Sequence, residues 1–471
     1  MPQGQVLRRA SVFLSVIVFF AIGLLMASLN CGGALAGKFR HIVIIFQENR
    51  TPDNLFQDPA LIRAGADIAS TGINSRGQRI RLSPLPLATP FDLDHQHDAF
   101  VSMFDGGKMD GADKVKVTCI VKDCPPPNPQ FSYVDPADVQ PYFQMAEQYT
   151  FGDRMFQTNQ GPSFPAHLFI ISGTSALTAN STKFIADNGY GIAGPVLTGC
   201  ISPPDETVGV INAAGQETEV AYPCTEHPTI TDELNAKGIS WRYYTPTAGT
   251  LWTAPNAVQH MCGPNAALPN ATECISADWK NHVVIYAGTK DPAPVLTDIA
   301  NGNLPQVSWV IPSGRTSDHA GNLRTNQGPS WVASIVNAIG HSSYWANTAI
   351  IVTWDDWGGW YDHVPPFKIV NDGRSWGSGY VYGFRVPLIV ISPYARPGYI
   401  SHVNHDFGSV LRFMEESFNL RSLGYADAYA DDLSDCFNFQ QTPLKFQTIG
   451  APLSASFFMH EPIIDTDPDT D

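Results

Sequence analysis

Two apolar stretches far apart in the chain, HIVIIF at 41–46 and AIIVT at 349–353, constrain this sequence more than any other feature. Both are rich in β-branched residues and neither alternates with polar ones. That pattern suits strands buried on both faces, which occur in parallel sheets covered by helices. Each stretch runs into oxygen-bearing side chains. The first meets Gln47-Glu48-Asn49-Arg50. The second passes through Trp354 into Asp355-Asp356, with Gly358 and Gly359 after them. In a parallel sheet the carboxyl ends of the strands share one edge, and the ligand crevice of open α/β sheets lies there. Adjacent carboxylates repel each other and lose hydration on burial, and a bound cation offsets both costs. A lone Asp-Asp is also compatible with a solvated turn, and Glu48-Asn49 with a helix cap. Oxygen donors at two strand ends point to a hard cation.

Further strands are expected at 239–244, 307–311 and 386–391, and helices at 142–149, 330–339 and 405–420. The result is an α/β fold with a mostly parallel central sheet. The 471-residue chain is 44% hydrophobic and only 15% charged, which excludes a disordered protein. Its net charge of −16, with no basic run in the body of the chain, argues against nucleic acid and against electrostatic docking on anionic lipid.

The first 36 residues read as a signal peptide: Arg8-Arg9, an apolar run at 12–29, then the A-x-A site Ala34-Leu35-Ala36. The run is long enough for an uncleaved anchor, which is the alternative. Either way the body is exported, secreted or periplasmic, and no stable membrane partner is expected after cleavage. Cys31 leaves with the leader. The remaining cysteines include three close pairs, Cys119/Cys124, Cys200/Cys224 and Cys262/Cys274, which an oxidising compartment would let form disulfides. Cys436 is left over.

Ser163 lies in Gly161-Pro162-Ser163-Phe164-Pro165 before an apolar helix. A serine there is a natural N-cap, and it also faces free N–H groups where an oxyanion can bind, so it is either a cap or a nucleophile. Asp92-Leu93-Asp94-His95-Gln96-His97-Asp98 is a dense cluster of acids and imidazoles that reads as ligands, phosphate contacts or plain surface. His319 follows the strand at 307–311. Residues 179–305 are rich in loops and read as an insertion capping the site, 37–460 as one catalytic domain, and 461–471 as a disordered acidic tail. Trp252, Trp357, Trp360 and Trp376 fall in loop-like segments. They would hold an apolar chain or a choline-like cation, or else pack the floor of the site.

Five blocks carry a family resemblance: HIVIIFQENRTPDNLF, GPSFPAHLFIISGTS, SDHAGNLRTNQGPSWVASIVNAI, TAIIVTWDDWGGWYDHVPP and GFRVPLIVISPYARPGYISH. In this order they resemble the bacterial phosphoesterase family of non-haemolytic phospholipases C and secreted acid phosphatases, within the alkaline-phosphatase-like superfamily. The resemblance implies a three-layer αβα sandwich. It also implies a divalent metal ion on Glu48, Asn49, Ser163, Asp355 and Asp356, with Ser163 as the nucleophile. His319 and a histidine of the Asp94-His95 cluster, taken as His95, fall where the family contacts phosphate. The roles of His97 and His363, the latter in the family's Tyr-Asp-His-Val block, stay open. Two departures stand out: Thr51-Pro52-Asp53 replaces the usual Ser-Phe-Asp, and Asp356 stands where a glutamate is usual.

The implied chemistry is hydrolysis of a phosphoester, with phospholipid among the candidate substrates, through a phosphoseryl-type intermediate. Oxygen donors suit magnesium, calcium or manganese, and zinc is also compatible. One alternative is a sulfatase-like hydrolase, since Ser163-Phe164-Pro165-Ala166-His167 resembles the sulfatase signature. His167, however, replaces the arginine that formylglycine formation needs. The other alternative is a catalytically silent binding protein on the same scaffold.

Overall fold

The computed structural model describes residues 35–122, 124–189, 198–321, 323, 326–368 and 381–463. All but the last two residues of the expected leader, most of the expected tail and Trp376 lie outside these residues. Among the described residues no helix is long and apolar enough to cross a membrane.

Nine strands build the central sheet. Along the chain they are β1 (His41–Gln47), β2 (Thr150–Phe156), β3 (Trp241–Thr245), β4 (Val283–Ile285), β5 (Val307–Val310), β6 (Thr348–Trp354), β7 (Arg385–Ile391), β8 (Tyr399–Ser401) and β9 (His405–Asp406). Their order is β4-β3-β5-β1-β6-β7-β2-β8, with β9 also paired to β2. Only β7 runs against its neighbours, and every other pairing is parallel. Pro387 is tolerated inside β7 because the ladder to β2 slips register between Val386 and Leu388.

The side chains of β1 and β6 show why the sheet has two helical layers. Phe46 pairs with Thr353 and Gln47 with Trp354, so Phe46 and Trp354 point to opposite faces. Phe46 packs on His167 of α2 (Ser163–Ser172) and on Phe407 of α4 (Phe407–Phe418). Trp354 packs on Tyr142 of α1 (Gln140–Gln148), which packs in turn on α3 (Gly328–Gly340). Helices therefore cover both faces, giving the αβα sandwich. All of β6 and all of β1 but His41 are buried. Each buried Ile or Val contributes about 1.5–3 kcal/mol, so the two central strands are firm supports for whatever stands at their ends.

Residues 179–305 differ from the expectation of a capping insertion in one respect. The aromatic and β-branched runs WRYYT and VVI make two strands of the central sheet, β3 and β4. What remains outside the sheet includes a three-stranded antiparallel unit and the turn carrying Trp252. The three expected disulfides are formed and Cys436 is a buried free thiol.

A buried ion network braces the turn after β1. Arg385 donates to Asp362 at 2.8 and 3.0 Å and to Asp53 at 3.3 Å. His363 Nδ1 lies 2.8 Å from Asp53 Oδ2, and Nε2 lies 3.0 Å from Asp67 Oδ1. His363 is therefore an ionic brace rather than part of the site. Burial lowers its pKa, but the hydrogen bond and charge of Asp53, with the charge of Asp362, outweigh burial and raise it to about 9. Because the folded-state value exceeds the unfolded value of about 6.5, the stabilisation is complete below pH about 6.5 and is lost as pH rises through about 9. Partial exposure of His363 brings the expected contribution to about 2 kcal/mol. Denaturation at pH 6.5 and pH 9.5 should therefore show a larger loss of stability in the wild type than in His363→Gln. Equal losses would mean that His363 does not hold its proton in the folded protein.

Candidate functional site

The carboxyl ends of β1 and β6 are adjacent, and the side chains that follow them converge. Asn49 adopts a left-handed conformation (φ 63°), which asparagine tolerates better than most residues. This aims its N–H at Asp355 Oδ1, 2.9 Å away, while its Nδ2 donates to Asp356 Oδ1 at 3.2 Å. Gly358 (φ 60°) is required beside it, since a Cβ there would lie 2.5 Å from Asn49 O. The backbone N–H of Asp356 also donates to Asp355 Oδ1, at 2.7 Å, and that of Gly358 to Asp356 Oδ1, at 2.6 Å. Each aspartate is thus anchored through Oδ1, leaving Oδ2 for the site.

Ser163 comes from a different strand, seven residues after the end of β2. Gln157 and Asn159 donate to the carbonyls of Gly161 and Pro162 and hold the loop before it. Ser163 is the first residue of α2 and does not cap it. Asn188 Oδ1 accepts from the Phe164 N–H instead, at 2.9 Å. The Ser163 hydroxyl lies 3.3 Å from both Glu48 Oε2 and Asp356 Oδ2. Glu48, Asn49, Ser163, Asp355 and Asp356 are all buried and all meet at one point.

The two expected histidines flank this point. His95 Nδ1 lies 2.7 Å from Leu93 O, so Nδ1 carries the proton and Nε2 accepts from Asn49 Nδ2 at 3.1 Å. His319 Nδ1 lies 2.6 Å from Ala320 O, and its ring stands 5.7 Å from that of His95. Arg50 sets the approach to His319 by donating to Asp318 O, at 2.8 Å from Nε. His97 is not in the site. Its ring nitrogens face the carbonyls of Gln160 and Gly215 at 2.8 and 3.0 Å, pinning two loops. Trp252, Trp357 and Trp360 are fully buried and pack the floor, so they form no exposed apron.

One functional side chain was absent from the sequence-derived set. His167 lies one helical turn beyond Ser163, and Glu48, His167 and Asp355 bring one ligand atom each within 4.8 Å of one another. The i, i+4 spacing on a helix was the clue available in the sequence. Tyr243 OH donates to Trp252 O at 2.7 Å, so its oxygen accepts from His167 Nδ1 at 3.3 Å. Burial pushes His167 down to about 4, against the pull of Asp355. The imidazole is therefore neutral, and its Nε2 lone pair faces Glu48 Oε1 at 3.4 Å and Asp355 Oδ2 at 4.0 Å. A lone pair facing two carboxylates is unfavourable unless a cation lies between them. Asn49 Oδ1 and Asp355 Oδ2 are buried without a hydrogen-bond partner. A divalent cation fits this donor set, with His167 added to the oxygen donors read from sequence.

The non-hemolytic phospholipase C of Pseudomonas aeruginosa is 23% identical over 442 residues, covering 85% of this chain and 57% of that protein. Phospholipase C B of Mycobacterium tuberculosis is 26% identical over 459 residues, covering 88% of this chain and 80% of that one. The chain spans little more than half the length of the first relatives it matches. The solved structure of an alkaline phosphatase superfamily protein from Vibrio parahaemolyticus aligns over 83% of this chain and 70% of that one, at 9% identity and a TM-score of 0.37. The Phosphoesterase family profile matches residues 39–421, and the chain belongs to the Phosphoesterase family.

Proposed function

We propose that this protein is an exported phosphoesterase of the phospholipase C or acid phosphatase type, with Ser163 as its nucleophile and a divalent cation on Glu48, Asn49, His167, Asp355 and Asp356. The observation that carries the reading is the Ser163 hydroxyl, 3.3 Å from both Glu48 and Asp356 at the start of a helix. A hydroxyl so placed has oxygen acceptors for its proton as it attacks phosphorus, and the N-terminal end of α2 favours the negative charge that develops. Relatives named phospholipase C support the substrate class.

When bound, the cation supplies positive charge that eases ionisation of the serine and polarises the phosphoryl oxygens. His167 presents its nitrogen lone pair toward Glu48 and Asp355, as a third donor to the same cation. An imidazole in the donor set favours zinc or iron over magnesium or calcium. His95 and His319 hold their Nδ1 protons on backbone carbonyls, which turns Nε2 into the working atom. A ring held this way presents Nε2 to a phosphoryl oxygen or to the leaving alcohol. Attack by Ser163 Oγ forms a phosphoseryl ester and breaks the bond to the alcohol, and water then releases the phosphoryl group. Three disulfides fit the oxidising compartment that this reading requires.

Replacing Ser163 by alanine should lower turnover of a nitrophenyl phosphate at least about 10³-fold while fold and metal content persist. Retention of a tenth of the wild-type rate would remove Ser163 as nucleophile. Asp355→Asn and Asp356→Asn should each reduce bound metal and activity together, as measured by elemental analysis and initial rates on the same samples. Activity lost at unchanged metal content would instead make the aspartates positioning groups for the serine. With Trp252, Trp357 and Trp360 buried and a net charge of −16, the protein has little long-range attraction to anionic bilayers. Hydrolysis of a soluble short-chain phosphatidylcholine or a nitrophenyl phosphate should at least match that of phosphatidylcholine vesicles at equal phosphorus. A jump in rate at the aggregation threshold would identify an interfacial enzyme.

A further inference from the structure

A second cluster of ligand-type side chains lies beyond β6 and β7 in the sheet, where β8 and β9 both pair with β2. His405 stands at the start of β9, Ser401 at the end of β8, and the loop at 431–436 folds over both, bringing Asp431, Asp435 and Cys436. His405 Nε2 and Cys436 Sγ each lie 3.6 Å from Asp435 Oδ1. One ligand atom from each of these three residues lies within 4.8 Å of the others. Nitrogen, oxygen and sulfur ligands held at tetrahedral angles around zinc are separated by about 3.3–3.7 Å, and the two separations from Asp435 Oδ1 fall in that range.

An independent feature sits behind the histidine. His405 Nδ1 lies 2.8 Å from Asp431 Oδ1. The contact is a close ion-pair distance rather than an aligned hydrogen bond, and a carboxylate this near one ring nitrogen still favours the tautomer that leaves the other nitrogen to a metal. The same contacts exclude a hydrolytic Ser-His-Asp triad, although Ser401 Oγ lies 3.0 Å from His405 Nε2. Ser401 donates its only proton to Asp435 Oδ2 at 2.6 Å, so it has none to give to His405, and it is buried. Cys436 is the one described cysteine outside a disulfide, in a fold where the other six described are paired. His405 and Cys436 are fully buried, whereas the Asp435 side chain is 21% exposed and gives an ion a way in.

We propose that His405, Asp435 and Cys436 form a second metal site, separate from the Glu48–Asp356 cluster, that takes zinc or a similar borderline-soft divalent ion. Ser401 Oγ or a water supplies the fourth ligand. Binding displaces the thiol proton of Cys436 and any proton on His405 Nε2, and these protons pass to solvent. The role is structural: the ion fastens the 431–436 loop to the edge of the sheet.

Cobalt(II) tests this on the full chain, because a thiolate ligand gives it a charge-transfer absorption in the near ultraviolet that nitrogen and oxygen ligands do not. The protein is loaded with cobalt, freed of excess and read before and after zinc is added. The band should appear in the wild type, bleach with zinc, persist in Asp355→Asn and be absent in Cys436→Ser, whose metal content should fall by about one ion per chain. Asp431→Asn keeps all three ligands and should keep the band while weakening cobalt binding roughly 10- to 100-fold. No band in the wild type overturns the proposal whether or not any variant folds. A band that survives Cys436→Ser, or unchanged affinity in Asp431→Asn, also overturns it.

Discussion

Three carboxylates and the lone pair of a neutral imidazole meet at one buried point, and the rest of the structure is arranged around that conflict. Glu48, Asp355 and Asp356 are fully buried, and His167 Nε2 turns toward two of them. Without a cation, like charges at this separation in a low-dielectric interior repel by several kcal/mol. With one, the same groups become a rigid donor set. The fold therefore carries a local instability that ligand binding relieves, a recurrent feature of functional sites.

Holding such a cluster together requires anchors that do not depend on the cation. The backbone supplies them: two N–H groups on Asp355 Oδ1 and one on Asp356 Oδ1. Asn49 is kept in its left-handed conformation from both sides. Gly358 packs against its carbonyl, and Arg50, next in sequence, reaches the carbonyls of Leu87 and Asp318. One turn further on, Asp53 enters the network with Arg385 and His363. The brace and the site thus belong to one continuous stretch following β1, and His319 is drawn in through Asp318.

Much of this was readable before any coordinates. Strands β1 and β6 were plain because a double-sided apolar run is hard to satisfy in any other way, and their parallel pairing followed from the oxygen donors at both ends. The reversed direction of β7 was not readable, since an apolar run has no arrow. The roles of Ser163 and His167 were obscured by local rules. A serine before an apolar helix reads as a cap, yet Asn188, 25 positions along the chain, takes that task and frees the hydroxyl. His167 looks like part of an apolar helix face, and only the carboxylates brought opposite it by β1 and β6 give it chemistry. Long-range partners decide both cases, and periodicity contains no information about them. His363 is the converse: it sits in a motif of the family but works through Asp53 and Asp67, away from the cluster.

The tryptophans link the two halves of the site. Trp252 stacks on His167 (ring centroids 6.5 Å apart) and leans over His319 at 6.4 Å, while Trp357 meets the edge of His95 at 6.2 Å. Each histidine is thus set against a large apolar ring, which excludes water and lowers the local dielectric. In such surroundings an anion that arrives is held more strongly than in water. Trp252 belongs to the 179–305 segment, and its carbonyl also takes the Tyr243 proton that fixes the His167 tautomer. Residues outside the sheet therefore reach both His167 and His319 through one ring. A change in that segment acts on the placement of His167 and His319 as much as on the shape of the crevice.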